Sequence, residues 1–321
     1  MIVNGNWKFD MARTQERYRA LKEYYDTRGL NADNFSCPKY PDCLDSQKEG
    51  TIQQYLGGTA GLMPFYDVEY KNTPIRVLSV GKETGYMVNT PYGTSPNFDV
   101  NTLNVLNCIN WKRKNNHIKG TLITLQRIFE LETEYVYASY ALSDALRCSF
   151  QLKNTADNVS AVKDTPKMRD NCLEYLVDEI RILEPTLIIL QGEWAVAGRN
   201  PFVQRLAAQL GEQVRCVKKN QNGKYGLYEF TSFMCITSHH PAILGNWLVN
   251  LAPDSLWPMI DYLREIGYLP AFEPEDRLKY EKTVKPYVDP IITKLASNDR
   301  LRSKKAIDNQ MSLFHFTDGR D

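Results

Sequence analysis

The sequence predicts an α/β protein, a three-layer αβα sandwich around a central, mainly parallel sheet of four strands. The first observation is the alternation of short apolar runs, typical of buried strands, with longer segments of helical spacing. The second is that these runs are separated by segments long enough to form helices, a connection that gives parallel strands covered on both faces. The third is an apolar content of 43%, which is ample for a packed core.

In the first half of the chain the sequence predicts a long helix, a buried strand and a second helical region. Residues 9–28 carry helix-forming residues with spaced Tyr, Leu and Ala, and the Gly that follows is a typical helix end. Residues 31–50, rich in Asn, Asp, Cys and Pro, are predicted to form a loop. Residues 75–80 are a short apolar run between Pro and Gly, as expected of a buried strand. Residues 101–131 have helical spacing around a basic turn.

In the second half the sequence predicts three more core strands, two helices and an edge hairpin. The strands are residues 136–142, 187–190 and 233–236, and the helices are residues 171–183 and 201–210. The hairpin pairs residues 215–218 with residues 225–230 around an Asn-Gly turn, a strong hairpin signal.

Charge and cysteine content limit the class of protein. Lys and Arg number 39 against 38 Asp and Glu, so the net charge of +1 argues neither for nor against nucleic-acid binding. Seven cysteines spread over 321 residues indicate reduced thiols or metal ligands in the cytoplasm, not a disulfide framework. The sequence shows no signal-peptide pattern and no apolar run of the roughly 18 residues that span a bilayer, so no membrane association is expected.

Several chemically capable residues directly follow predicted strands. Gly81, Asp144, Gly192 and His240 each stand just beyond the end of an apolar run. The carboxyl ends of parallel strands meet at one edge of a sheet, where the ligand sites of such folds lie. We therefore expect these four residues to converge on one crevice.

The segment 141–195 carries the most informative motif of the chain. It reads ALSDALRCSF from residue 141, TPKMRDNCL from residue 165 and EPTLIILQGEWA from residue 184. Two further motifs are VLSVGKETG at residues 77–85 and SHHPAIL at residues 238–244. In this order the motifs resemble the iron–sulfur branch of the uracil-DNA glycosylase superfamily, and the resemblance spans roughly residues 30–250.

The resemblance implies a function and a domain organisation. Members of this superfamily hydrolyse the N-glycosidic bond of a base that has been flipped out of DNA. Residues 1–250 would then be the catalytic domain, including the N-terminal helix and a cluster-binding loop. Residues 251–321 would be a charged, helical C-terminal extension that the resemblance does not cover. The expected partner is DNA, on which the chain would act as a monomer.

The resemblance also implies a [4Fe–4S] cluster bound by four cysteines, because thiolates are the usual ligands of such clusters. The four ligands would be Cys37, Cys43, Cys148 and Cys172. Five residues separate the first pair, a wider spacing than is usual in the family. Zinc in the same four thiolates and free cysteines are the alternatives. The cysteines expected in the apolar core are Cys108, Cys216 and Cys235.

Two residues are predicted to perform the chemistry. Cleavage of an N-glycosidic bond builds positive charge on the sugar and negative charge on the departing base. Glu83, in the loop 81–85, is predicted to position or activate water, with a surface turn residue as the alternative. Lys82 stands where the iron–sulfur branch usually has its acid. His240 is predicted to donate to the base O2 and so to stabilise the leaving anion.

Other residues are predicted to contact the base and the DNA. Tyr92, in a Pro-Tyr-Gly segment similar to one in the family, is expected to stack on the extruded base, with ordinary loop packing as the alternative. Ile243 and Leu244 are expected to fill the gap left by the flipped nucleotide, unless they begin a helix. The remaining predicted contacts are Gly81 and Lys82 for the base, and His239, Pro241, Lys112, Arg113 and Lys114 for the DNA.

Asp144 stands where the family usually has Asn, and this difference changes the predicted substrate. An amide offers one donor and one acceptor, which match uracil, whereas an ionised carboxylate offers only acceptors. Those acceptors suit the N4 amino group and a protonated N3 of cytosine. The sequence predicts a glycosylase for a modified cytosine, including hypermodified bases of foreign DNA, because removing ordinary cytosine would destroy the cell's own genome. A protonated Asp144 would instead read uracil in base-excision repair, and a DNA-binding module without catalysis is the third alternative.

Overall fold

The computed structural model describes residues 1–30, 36–46, 51–56, 61–82, 116–152, 164–199, 201–241 and 243–297, and the structural statements below refer to these residues. Their strands are β1 (Ile2–Asn4), β2 (Trp7–Phe9), β3 (Thr51–Leu56), β4 (Gly61–Leu62), β5 (Val68–Tyr70), β6 (Thr73–Pro74), β7 (Val77–Gly81), β8 (Tyr140–Asp144), β9 (Cys148–Leu152), β10 (Leu187–Gln191), β11 (Val214–Lys219), β12 (Gly226–Phe230) and β13 (Met234–Ser238). Their longer helices are α1 (Met11–Arg28), α2 (Tyr40–Asp45), α3 (Asn116–Phe129), α4 (Pro166–Leu183), α5 (Phe202–Leu210), α6 (Trp257–Glu265) and α7 (Pro274–Ser297).

The central sheet has seven strands in the order β11-β12-β13-β10-β7-β8-β4. Its inner strands β13, β10, β7 and β8 pair in parallel, whereas β12, β11 and β4 are added in antiparallel orientation at the two edges. The predicted α/β class with a mostly parallel central sheet is confirmed. The predicted strand number of four is too small for the whole sheet, because the hairpin β11–β12 pairs onto β13 and the short β4 pairs onto β8.

Both faces of the central sheet are buried. Leu187 and Ile189 of β10 belong to one apolar cluster, which also contains residues of α3, α6 and α7. Ile188 and Leu190 of the same strand belong to a second cluster with residues of α1, α4 and α5. Successive side chains of a strand point to opposite faces. The continuous apolar run of β10 therefore reflects a strand that is covered on both sides.

A second, antiparallel sheet of order β1-β2-β5-β6 lies under helix α7. The ring of Trp7 stacks on Phe272 at 5.2 Å and meets Tyr280 edge-on at 5.2 Å. The carboxylate of Asp276 accepts hydrogen bonds from Asn6 and Tyr70. Helices of the predicted C-terminal extension thus contribute to the same apolar cluster as the central sheet. The predicted division at residue 250 stays a prediction.

Two predicted element boundaries are wrong, and the predicted loop 31–50 contains helix α2. Helix α4 begins at residue 166 and not at 171, because Thr165 caps it by accepting from the backbone N–H of Met168 and Pro166 occupies the first turn. The predicted strand 136–142 begins only at residue 140, since Glu134–Ser139 form a 3₁₀ helix. The predicted first helix is confirmed, with Gly29 in the left-handed conformation at its end. Within the described ranges, no helix is both long and apolar enough to cross a membrane.

Candidate functional site

Four residues form one row across the carboxyl edge of the parallel strands. Gly81 of β7 is paired with Asp144 of β8, and Gln191 of β10 is paired with Ser238 of β13. The preceding row joins the two pairs, since Leu190 lies beside the residue before Gly81. The predicted convergence of Gly81, Asp144, Gly192 and His240 on one edge of the sheet agrees with this register, and a Cβ at Gly192 would lie 3.8 Å from Cβ of His240.

Two site side chains pack closely against the backbone of Gly81. A Cβ atom at this position would lie 2.7 Å from Oδ1 of Asp144 and 3.1 Å from Cε1 of His117. The first distance is shorter than real Cβ contacts and the second is tighter than most of them, so a side chain at residue 81 would require Asp144 and His117 to move. The carboxylate of Asp144 and the imidazole of His117 therefore lie against the same backbone position.

His117 lies in the first turn of α3 and was not assigned to the site from the sequence. Its ring stacks on that of His240, with centroids 4.9 Å apart and an angle of 30° between the planes. Burial, with a smaller contribution from the neighbouring His240, lowers the pKa of His117 to about 3, although a hydrogen bond with the Gln191 side chain opposes the shift. His117 is therefore neutral at physiological pH. The contact of two histidines separated by 123 positions depends on tertiary packing, so no local signal marks it.

His240 is an exposed residue, although its ring packs against that of His117. The surrounding protein lowers the pKa of His240, and the ammonium group of Lys82 lowers it further. A neutral imidazole can donate a hydrogen bond to a developing anion without first losing a proton. The ring of the neighbouring His239 is half-buried and lies 4.1 Å from that of Tyr225.

The segment after His240 is packed against the protein on both sides of an exposed residue. Pro241 packs so closely on Gly120 of α3 that a Cβ at residue 120 would lie 2.5 Å from the proline ring. Trp247 is completely buried and donates from its indole N–H to the carbonyl of His239. Ile243, between these anchors, is 69% exposed, and Leu244 is half-buried against the core. A short helical turn begins at Leu244.

The side chain of Lys82 is engaged in an ion pair. Its ammonium group lies 3.3 Å from Oδ1 of Asp164, and its carbonyl accepts a hydrogen bond from the backbone N–H of Leu146 at 2.9 Å. These contacts tie Lys82 to Asp164, just before α4, and to the segment directly after β8. The predicted site residues Glu83, Tyr92, Lys112, Arg113 and Lys114 lie outside the described residues.

The four cysteines of the predicted cluster site are all buried in one apolar cluster. Each of three sulfur atoms has a hydrogen-bond neighbour. The pairs are Cys37 with the Tyr175 hydroxyl at 3.3 Å, Cys43 with the Asn171 side-chain amide at 3.3 Å, and Cys172 with the backbone N–H of Arg147 at 3.5 Å. Hydrogen bonds to cysteine sulfur are typical of iron–sulfur proteins.

The four cysteine thiols are suitable ligands for an iron–sulfur cluster, but in this structure they are not arranged around one metal site. Burial raises the pKa of Cys172 to about 11; Arg147 opposes this rise, and Cys43 and Cys37 add to it. Such thiols become thiolates only when a metal binds them. In the part of the chain that the structure describes, no group of three or more His, Cys, Asp or Glu side chains is arranged to hold a metal ion. Of the cysteines expected in the core, Cys235 is fully buried, but Cys216 is exposed on the edge strand β11.

A buried ion pair connects the cysteines with the strand that ends at Asp144. The guanidinium of Arg147 donates to the carboxylate of Glu179 at 2.7 Å and to the hydroxyl of Ser143 at 3.2 Å. Ser143 and Tyr25 also donate to this carboxylate, at 2.6 and 2.5 Å. Burial lowers the pKa of Arg147, but Glu179 outweighs burial and the net shift is upward. Arg147 therefore stays charged, and its contacts with Glu179 and Ser143 fix the residue directly before Asp144.

Comparison with models of known protein families and with curated proteins gives no match to this chain.

Proposed function

We propose that the protein is a DNA glycosylase that hydrolyses the N-glycosidic bond of a flipped-out modified cytosine and leaves an abasic site. The observation that carries the proposal is the convergence of Asp144, His117 and His240 above Gly81, at the carboxyl edge of the parallel strands. Ligand sites of α/β folds lie at this edge. The resemblance of the motifs to the uracil-DNA glycosylase superfamily supplies the reaction class, and a three-layer sandwich of that type is part of the proposal.

The proposed roles follow from hydrogen-bond polarity and charge. An ionised Asp144 accepts from the N4 amino group of the base and from a protonated N3, and that proton makes the base a better leaving group. His240, kept neutral by burial and by Lys82, donates to O2 of the departing base. Glu83 is proposed to position the attacking water. Ile243, exposed between two buried anchors, is proposed to enter the space that the flipped nucleotide leaves.

The proposal includes a [4Fe–4S] cluster bound by Cys37, Cys43, Cys148 and Cys172. Their common burial and the hydrogen bonds to three of their sulfur atoms support thiolate ligation. When bound, the cluster would cross-link α2, the end of the segment after β8 and helix α4. Arg147 and Glu179 would hold Ser143 in a fixed position, and with it the backbone of the adjacent Asp144.

The test is an assay for abasic sites on a panel of DNA duplexes and single strands. The target base is uracil, cytosine, 5-methylcytosine, 5-hydroxymethylcytosine or glucosylated 5-hydroxymethylcytosine. We expect release of at least one modified cytosine and none of cytosine itself. His240→Ala should lower that rate by roughly 10²–10³, as loss of one donor to a developing anion does. Release of uracil alone would support the repair enzyme, and release of no base would contradict the proposal.

A further inference from the structure

Lys82 places a primary amine at the carboxyl edge of the parallel strands, directly beyond Gly81. Its carbonyl accepts from the backbone N–H of Leu146 at 2.9 Å, which fixes Lys82 to the segment that follows Asp144. Its ammonium group is close enough to His240 for its charge to lower the pKa of that imidazole. The amine and the imidazole are therefore neighbours at this edge of the sheet.

The carboxylate that holds this amine is shared by two cations. The ammonium group of Lys82 lies 3.3 Å from Oδ1 of Asp164, and Nε of Arg169 lies 2.8 Å from Oδ2 of the same carboxylate. The Asp164 side chain is only 9% exposed, and a carboxylate that is so buried is costly without a neighbouring cation. A guanidinium stays charged at physiological pH. Asp164 therefore keeps a cationic partner when the amine of Lys82 loses its proton.

An amine in this position has a chemical partner in the product of the proposed reaction. Release of a base leaves a deoxyribose that opens to an aldehyde at C1′, and lysine amines form Schiff bases with carbonyl carbons. The ammonium group must lose one proton before it can attack. Because the Lys82 side chain is 33% exposed, water can accept that proton.

We propose that Lys82 is a nucleophile towards abasic sites, so that the protein is also a lyase that cuts the DNA strand 3′ to the abasic sugar. The neutral amine bonds to C1′, the aldehyde oxygen leaves as water with both amine protons, and protonation by solvent gives an iminium. Loss of a C2′ proton to water then breaks the C3′–O bond, and the 3′ phosphate leaves with the electron pair. Hydrolysis of the iminium restores Lys82 and leaves an unsaturated aldehyde. The origin of the abasic site rests on the proposed function, whereas the reaction with it does not.

The test uses DNA with a preformed abasic site, so its result does not depend on base release by this protein. The full-length protein is incubated with the DNA and sodium borohydride, which reduces a Schiff base to a stable amine, and the cross-linked peptide is found by mass spectrometry. We expect a cross-link on Lys82 and, without borohydride, a nicked strand. The absence of a cross-link, or a cross-link on another residue alone, would overturn the proposal.

Two substitutions separate the nucleophile from the charge of the side chain. Lys82→Arg keeps a cation beside Asp164 and Lys82→Gln removes it, but neither new side chain can form an imine. We expect both variants to lose the cross-link and the nick, while Lys82→Arg still binds abasic DNA. Lys224→Gln is the matched control and should keep both, because Lys224 is likewise ion-paired, with Glu193 at 2.5 Å. A cross-link that persists in Lys82→Arg would overturn the proposal.

Discussion

Two neighbouring side chains, and not a strained backbone conformation, disfavour any residue other than glycine at position 81. A methyl group at this position would meet the carboxylate oxygen of Asp144 at 2.7 Å and the ring of His117 at 3.1 Å. Gly81→Ala should displace both groups and lower base release by about 100-fold, because misplacement by about 1 Å has that effect. Gly245→Ala is the matched control, since a Cβ there meets nothing within 4 Å. Single-turnover rates and the Tm of both variants test this, and unaltered rates for Gly81→Ala would place the chemistry elsewhere.

The charge state of His240 gives the second residue-scale prediction. Its pKa lies below the usual value because of burial and of Lys82, so the neutral ring persists at pH values where an ordinary histidine is protonated. The acid limb of the rate profile should therefore have its midpoint below about pH 6.5. Lys82→Met removes a positive charge and should raise that midpoint, whereas Lys219→Met, on the edge strand, should not. A midpoint that is unmoved by Lys82→Met would contradict the assigned cause.

The site residues could be predicted from the sequence only where they follow a strand. Asp144 and His240 stand after apolar runs, and the parallel arrangement of those runs brings them to one edge. His117 and Gln191 could not be predicted in the same way. His117 opens a helix, and its contact with His240 depends on how α3 packs over the sheet. Gln191 is the last residue of a buried strand, and its contacts with Thr121 and His117 depend on the same packing of α3.

At the scale of elements, Asp276 joins α7 to the N-terminal sheet. Its carboxylate accepts from Lys279, Asn6 and Tyr70, and these hydrogen bonds, that from Lys279 most of all, outweigh burial and lower its pKa from an ordinary 3.8 to about 2. The stabilisation is fully present above about pH 3.8 and is lost as the pH falls through about 2. Asp276→Asn should lower the Tm at pH 7 by roughly 2–4 °C, and the difference from wild type should shrink in acid. A constant difference from pH 7 to pH 2 would contradict the argument.

Element boundaries were predictable where a capping residue or an apolar run marks them. The helix over residues 9–28 and the hairpin around residues 222–223 are present as expected. The N-terminal strands β1 and β2 were missed because their three residues each are too short for a periodic pattern. The start of α4 was missed although Thr165 and Pro166 are a typical helix beginning.

At the scale of the whole molecule, the four cysteines bring together segments that are far apart in the sequence. The purified protein should contain iron and be coloured, with the broad visible absorption of a thiolate-bound cluster. Cys172→Ala should lose iron and colour and become less soluble. Cys216→Ala should retain both, because Cys216 is exposed on an edge strand. A colourless, iron-free and fully active wild type would refute the cluster, and stoichiometric zinc would replace it with the alternative metal.

The most direct test of the central claim is the base preference of wild type against Asp144→Asn. The substitution hardly changes the side-chain volume, so packing stays nearly constant while the carboxylate is replaced by an amide with one donor and one acceptor. Single-turnover release of uracil and of the modified cytosine identified by the panel would be measured for both proteins. We expect wild type to release the modified cytosine and to leave uracil, and Asp144→Asn to shift towards uracil. A wild type that releases uracil and ignores every cytosine derivative would contradict the account.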